Sequence, residues 1–433
     1  MAKIGGEVAG ITGAKFKTLS DPVLDAGRVA CLATFSGVPV SGSAAVLSFE
    51  DDGALTVVAR AGGVATAEGA KFKSFKAVAV ADDYTGVFAQ LAIGSGLPRV
   101  TAANDVGLWV KDGADALTLV LREGQIIGGR TIKTLTSFLP GLGSPGQGRG
   151  WLRSTAVGGQ VLALAFFTDK SQGVVFVDAD DVANPQLLSR TGQTGDGGPD
   201  LAGGTFASYS LPALGRSDAS SFLASLTVGT GGATKADALG IFLKPGLTGA
   251  YIALARVGKP SGVSGALFSV LKDPVLADDG GLAFHATLKG GTAKGLAATT
   301  LWWKPPGEPL ALLAQGGQRP GLDLPAAAQW KAFPSLAIAG GRGPIFTATL
   351  VSGKGGVTAA TASGVWACDF TGMPRLLFRT GDTIGGRKLK SFILLKATVG
   401  SVGVTRSFNN DAQVVWLATF TDKTTAIVTT EIP

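Results

Sequence analysis

The sequence predicts an all-β fold, a seven-bladed β-propeller of four-stranded antiparallel blades. Three observations lead there. One supersecondary unit recurs seven times, each unit holds four apolar runs of strand length, and the period closes from the last unit round to the first. No stripe at helical spacing competes with the strand pattern.

The unit opens with a turn, usually glycine, followed by a buried-type anchor, a short polar or basic residue and a second apolar residue. The seven copies are Gly13–Leu19 (GAKFKTL), Gly69–Phe75 (GAKFKSF), Gly129–Leu135 (GRTIKTL), Gly204–Ser210 (GTFASYS), Gly265–Leu271 (GALFSVL), Ala328–Phe333 (AQWKAF) and Gly386–Phe392 (GRKLKSF). The anchors Phe16, Phe72, Ile132, Phe206, Phe268, Trp330 and Leu389 are 56, 60, 74, 62, 62 and 59 residues apart, and 60 separate Leu389 from Phe16 round the chain ends. The repeats therefore run over about 13–68, 69–128, 129–203, 204–264, 265–326, 327–385 and 386–433 plus 1–12, in one domain, 1–433.

Within the second repeat the strands are expected at Phe72–Val80, Val87–Ile93, Val106–Val110 and Leu117–Leu121, runs rich in β-branched and aromatic residues. Asp112-Gly113, Pro245-Gly246 and Pro306-Gly307 fall between third and fourth runs, where a hairpin needs positive φ or a preset turn. Fourth runs end in an Arg-x-Gly turn at Arg60, Arg122, Arg190, Arg256 and Arg379, with Gln315-Gly-Gly in the sixth place. Thr421–Val428 repeats the text of Thr168–Val175, so the chain stops after a third strand; Met1 to Ile4 fall where a fourth strand ends. The N-terminal segment is thus expected to complete the last blade and close the ring. A pair of β-sandwiches should not close its period, and a parallel β-helix has shorter coils.

Composition narrows the chemistry. Glycine is 65 of 433 residues, the charged fraction is 16% and the hydrophobic fraction 45%, which exclude a charged disordered chain. The formal charge is +7, a mild lean toward anionic partners. Two cysteines and one histidine leave little material for zinc sites, thiol chemistry or a histidine base, so no cofactor and no metal are expected. The longest clean apolar run, Val161 to Phe167, is too short to cross a bilayer as a helix. No secretory leader is visible, which suits a mature or a cytoplasmic chain.

One row survives alignment as a candidate site. The residue after the anchor is Lys17, Lys73, Lys133, Ala207, Ser269, Lys331 and Lys390, so five of seven repeats put lysine at one position near the start of the innermost strand. Lys15, Lys71 and Lys388 reinforce it. Ammonium groups converging at a channel mouth would attract an anionic polysaccharide or an acidic partner; the plainer reading is that they keep strand ends solvated. The Arg-x-Gly arginines read as bonding turn carbonyls within the blade. Glu50-Asp51-Asp52, Asp82-Asp83, Asp178 to Asp181 and Asp278-Asp279 read as turn formers without calcium-loop spacing. A glycosidase would need a convergent acid pair, and none is visible. His285 takes a packing position, Cys31 and Cys368 read as buried thiols too far apart for a disulfide, and Trp303-Lys304 suggests an exposed sugar platform. The Gly192–Gly198 tract lacks the ending of a phosphate loop.

The second-strand text Leu24–Phe35 (LDAGRVACLATF), Leu276–Leu288 (LADDGGLAFHATL) and Asn409–Phe420 (NNDAQVVWLATF), with weaker copies at Pro344–Leu350 and Ser221–Leu226, resembles the bacterial tandem-repeat family of the Asn-x-x-Gly-x-x-Ala-Phe motif. Ala277 stands where that family has Asn. The resemblance implies a secreted or surface protein without catalytic activity. The resulting expectation is a non-catalytic, extracellular or cell-surface scaffold binding an anionic polymer or protein through the lysines, and not an enzyme. The alternatives are a self-assembling surface-layer or filament subunit and, third, a glycan-active enzyme. Nothing points to nucleic acid, because the lysines are not interleaved with stacking aromatics.

Overall fold

The protein is described from a computed structural model that covers residues 2–20, 22–25, 28–49, 54–81, 83–112, 117–138, 140–141, 144–148, 153–155, 158–215, 218–338, 341–394 and 412–432. It is an all-β, seven-bladed propeller; among the described residues there is no α-helix, only four short 3-10 turns. Two compact units share the blades: three up to Thr191, and four from Gly192 onward together with the hairpin 140–148.

In the first unit the innermost strands are Lys15–Leu19, Phe72–Ala81 and Arg130–Thr136. Each pairs antiparallel with a second strand, Arg28–Ser36, Tyr84–Leu91 and Gly158–Phe167, and a third and fourth follow outward in meander order. The second unit repeats the plan from Phe206–Tyr209, Leu267–Leu271, Trp330–Ile338 and Arg387–Ile393. Both faces of a central strand are buried in most blades: every residue of Val106–Lys111 is, and only the ends of Gln172–Asp178 are not. This explains why those runs read as near-continuous apolar text. In the last blade Thr425–Glu431 is the outer strand, and the fourth strand of its sheet is the short Thr383–Ile384 ahead of the innermost one.

The anchors are buried, Phe16, Phe72, Ile132, Phe206, Phe268, Trp330 and Leu389 each at 4% exposure or less. Their backbones join consecutive repeats in a recurrent way. The glycine closing each Arg-x-Gly turn, at positive φ, donates its N–H to the anchor carbonyl of the next repeat: Gly62 to Phe72 (2.8 Å), Gly124 to Ile132 (2.8 Å), Gly258 to Phe268 (2.7 Å) and Gly381 to Leu389 (2.8 Å). A side chain there would meet left-handed backbone strain, so glycine is required. The N-terminal segment does the same, Gly5 N–H donating to Phe16 O and Phe16 N–H to Gly6 O. Residues 5–8 thus behave as a connector lying on the first innermost strand; Met1 lies outside the described residues.

The arginines take the expected structural role. Arg60 Nε donates to Gly42 O (2.8 Å), Arg122 Nε to Asn104 O (2.6 Å) and Arg256 to Asp237 O, while Gln315 Nε2 reaches Ala297 O (2.6 Å). Cys31 and Cys368 are free and buried, and burial raises both thiols, Cys31 to about 11. Neither is nucleophilic at neutral pH.

Candidate functional site

The lysine row has a structural cause that the aligned text does not show. In all seven blades the pairing of the first two strands slips by one residue at the position after the anchor: between Phe16 and Thr18, Phe72 and Ser74, Ile132 and Thr134, Phe206 and Ser208, Phe268 and Val270, Trp330 and Ala332, Leu389 and Ser391. Lys17, Lys73, Lys133, Ala207, Ser269, Lys331 and Lys390 are therefore the extra residues of seven β-bulges. A bulge leaves its residue out of the ladder and re-aims the side chain.

All five lysines are exposed beside a buried anchor. Among the described residues none of them makes an ion pair. In the first unit Lys17, Lys73 and Lys133 take the same register on three successive blades. In the second, Lys331 and Lys390 stand on successive blades, and Ala207 and Ser269 interrupt the row. The residue after the bulge carries a hydroxyl in five blades, as Thr18, Ser74, Thr134, Ser208 and Ser391. In four of these blades, at Lys17-Thr18, Lys73-Ser74, Lys133-Thr134 and Lys390-Ser391, one ammonium and one hydroxyl stand together at a strand start, a combination suited to an oxyanion on a polyol.

Two buried carboxyls near enough to act on each other electrostatically stand in the first unit, where the sequence shows no acid pair. Asp105 and Glu123 are 6% and 7% exposed, Asp105 immediately before the third strand of the second blade and Glu123 immediately after its fourth. Gln90 Nε2 donates to Asp105 Oδ2 (2.7 Å), and Val106 N–H donates to Glu123 Oε2 (3.3 Å). Burial raises the Glu123 carboxyl, Asp105 nearby adds to the rise, and the Val106 amide and Lys76 oppose it. Such a carboxyl keeps its proton to higher pH than a solvated one, the property of a general acid. The pair borders the row: Ser74 Oγ, next to Lys73, lies 3.5 Å from Gln90 Oε1, and Glu123 precedes the glycine that holds the Ile132 anchor. One signal in the sequence marks it, because the middle residue of the Arg-x-Gly turn is acidic only in this repeat.

Other candidates resolve into structure. Asp178 Oδ1 accepts from Asp180 N–H, Asp181 holds Asn184, and Asp279 holds the Gly281 and Gly341 amides, as turn-forming acids do. Glu50, Asp51, Asp52 and Asp82 lie outside the described residues. Among the described residues no three His, Cys, Asp or Glu side chains converge. His285 is 8% exposed on the second strand of the fifth blade, a packing position. Trp303 is not an open platform: its ring packs where Gly343 and Gly372 leave room, a Cβ on Gly372 falling 2.9 Å from it. The Gly192–Gly198 tract lies on the fourth blade. Its Asp196 accepts from Gly249 N–H (2.7 Å) and sits 3.6 Å from the buried Lys244 ammonium.

A family model described as Family of unknown function (DUF7453) matches residues 1–188 and 179–432. No curated protein matches the chain. Solved structures similar to it include the Trypanosoma rangeli sialidase, at 10% identity over 82% of this chain and 56% of the sialidase, TM-score 0.33. The chain thus spans little more than half the sialidase. The polysaccharide lyase Uly1 follows at 10% identity, 100% of this chain and 92% of the lyase, TM-score 0.40. The lectin BP39L from Burkholderia pseudomallei is 14% identical over 94% and 92%, TM-score 0.31. Two of these three are glycan-active enzymes, and this corrects the expectation of a non-catalytic scaffold or structural subunit and of a chain that is not an enzyme. Likeness of this degree transfers neither substrate nor site.

Proposed function

The chain belongs to the Family of unknown function (DUF7453), and from that premise we propose that it engages an acidic polysaccharide, as ligand or as substrate, along the lysines of its innermost-strand bulges. One observation carries this reading: Lys17, Lys73, Lys133, Lys331 and Lys390 are bulge residues, exposed and without an ion pair among the described residues. A packing role would bury the stems and a solubility role would not need one register. The kinship to the Asn-x-x-Gly-x-x-Ala-Phe repeat, and an extracellular or cell-surface setting, belong to the same proposal.

The test is titration of the purified chain with polygalacturonate, with a sulfated galactan and with a neutral galactan, at low and moderate salt. Binding of the acidic polymers that weakens with salt, with none to the neutral one, is the expected outcome. Equal affinity for all three, or no binding, overturns the proposal.

Asp105 and Glu123 favour a second reading, in which the polymer is cleaved and Glu123 is the proton donor. Release of reducing ends from a bound acidic polymer, abolished in Glu123→Gln, supports it; an intact polymer after prolonged incubation removes it.

A further inference from the structure

Between the sixth and seventh blades, inside the second unit, lies a cavity of about 410 Å³, within the ~300–1,000 Å³ of small-molecule sites. Its walls come from both blades. Ser335 stands on the innermost strand of the sixth blade, Thr347 and Thr349 on its second, and Thr380 in its Arg379-Thr-Gly turn; Lys390 and Phe392 come from the innermost strand of the seventh. Ser335, Thr347 and Thr380 are 5%, 9% and 6% exposed, whereas Lys390 is open to solvent. Buried hydroxyls thus share the wall with the buried Ala348 and Leu394, and among the described lining residues the one charged side chain, Lys390, is exposed. Among the described residues no carboxylate lines it.

Three kinds of wall component match parts of a sugar. Hydroxyls both donate and accept, as a pyranose ring needs. The Phe392 ring, half-buried and held edge-on by Phe378 at 5.2 Å, offers an apolar face. Lys390, the bulge residue of its strand, lines this opening, and an ammonium there is the partner a carboxylate or sulfate requires. An all-acidic lining would repel such a group and an all-apolar one would leave the sugar hydroxyls unpaired.

We propose that this cavity is a subsite for a single anionic sugar residue, its charged group on Lys390 and its ring hydroxyls on Thr347 and Thr349, with Ser335 and Thr380 shaping the wall. The inference rests on the acidic-polysaccharide reading and gives it an address. A carboxylate and a sulfate ester ask the same geometry of Lys390, so two probes separate the sources: a galacturonate trisaccharide and a sulfated galactose disaccharide.

The experiment is calorimetric titration of the full chain with each probe, beside polygalacturonate as the polymer control. The expected result is saturable one-site binding of at least one probe, weakened about tenfold or more in both Lys390→Gln and Thr347→Val, while polymer binding persists in Thr347→Val. Thr349→Val, on a less buried position, is the second variant should Thr347→Val fail to fold. The triple variant Lys17→Ala/Lys73→Ala/Lys133→Ala should keep short-probe affinity because it leaves the cavity untouched. Polymer binding with no binding of either probe, or probe affinity unmoved by Lys390→Gln and the threonine variants, overturns the subsite and leaves the wider reading standing. Absence of polymer binding removes the wider reading itself.

Discussion

Replacing Lys17, Lys73 and Lys133 together with alanine isolates the lysine row from the fold. The three ammonium groups are exposed, and among the described residues none is engaged by a carboxylate, so their loss orphans no partner. Surface changes of this kind stay within about 0.5 kcal/mol each, and the melting profile should be close to the parent's. An ammonium against an oxyanion at about 4 Å in water contributes roughly 1 kcal/mol, so three lysines contribute on the order of 3 kcal/mol to polymer binding. That converts to a dissociation constant raised about 100-fold, with the slope of log affinity against log salt reduced by up to about three. Fluorescence anisotropy of labelled polygalacturonate at several salt concentrations measures both. A fully folded triple variant whose affinity and salt slope match the parent's would refute the reasoning, because neither packing nor register would then explain exposed lysine in the same bulge on three blades.

Three further outcomes follow from the same geometry. The Glu123 carboxyl is raised in the folded chain by burial and by Asp105, so the folded state holds the extra proton and stability should fall as pH rises through the folded value; Glu123→Gln should abolish that fall in denaturant titrations across pH, and an unchanged profile would count against a buried acid. Asp237 is the opposite case, held well below the usual carboxylate range by Lys259 Nζ at 2.7 Å, by the Thr234 amide and hydroxyl and by Arg256. Its contribution is present above about pH 4 and lost as pH falls further; Asp237→Asn should destabilise by roughly 3 kcal/mol at neutral pH and flatten the acid limb of the unfolding curve. Gly291→Ala would drive a Cβ into Ser264 O at φ +51, a backbone clash that has to cost more than the roughly 1–2 kcal/mol of left-handed strain alone. Gly262→Ala, at φ +86 with open space around it, carries only the strain, and equal costs by chemical denaturation would contradict the packing described.

Much of the blade plan was legible because its causes are local. Phe72, Val106 and Leu117 announce strands by composition and alternation, and the Arg122-Glu-Gly turn announces its end by a glycine at positive φ. The lysine position was legible through repetition. The bulge at that position was not, because a register slip is a relation between two strands and Lys73 alone does not state which residue faces Phe72 or Ser74. Asp105 and Glu123 are 18 residues apart in a chain that gives each a plausible turn role; their meeting depends on the third and fourth strands of one blade ending side by side. Trp303 misled for a related reason. A Trp-Lys-Pro-Pro run looks exposed by itself, but the glycines that admit its ring, Gly343 and Gly372, are 40 and 69 residues on.

Period, strand number and turn chemistry are properties of short stretches of chain, and the amino-acid sequence by itself determined seven repeats of four strands with lysine after five of the anchors. Pairing and enclosure are properties of stretches that meet only on folding. Tertiary structure alone decided that those lysines are bulge residues, that two carboxyls share a buried corner of the second blade, and that hydroxyls of the sixth blade face Lys390 of the seventh across one cavity.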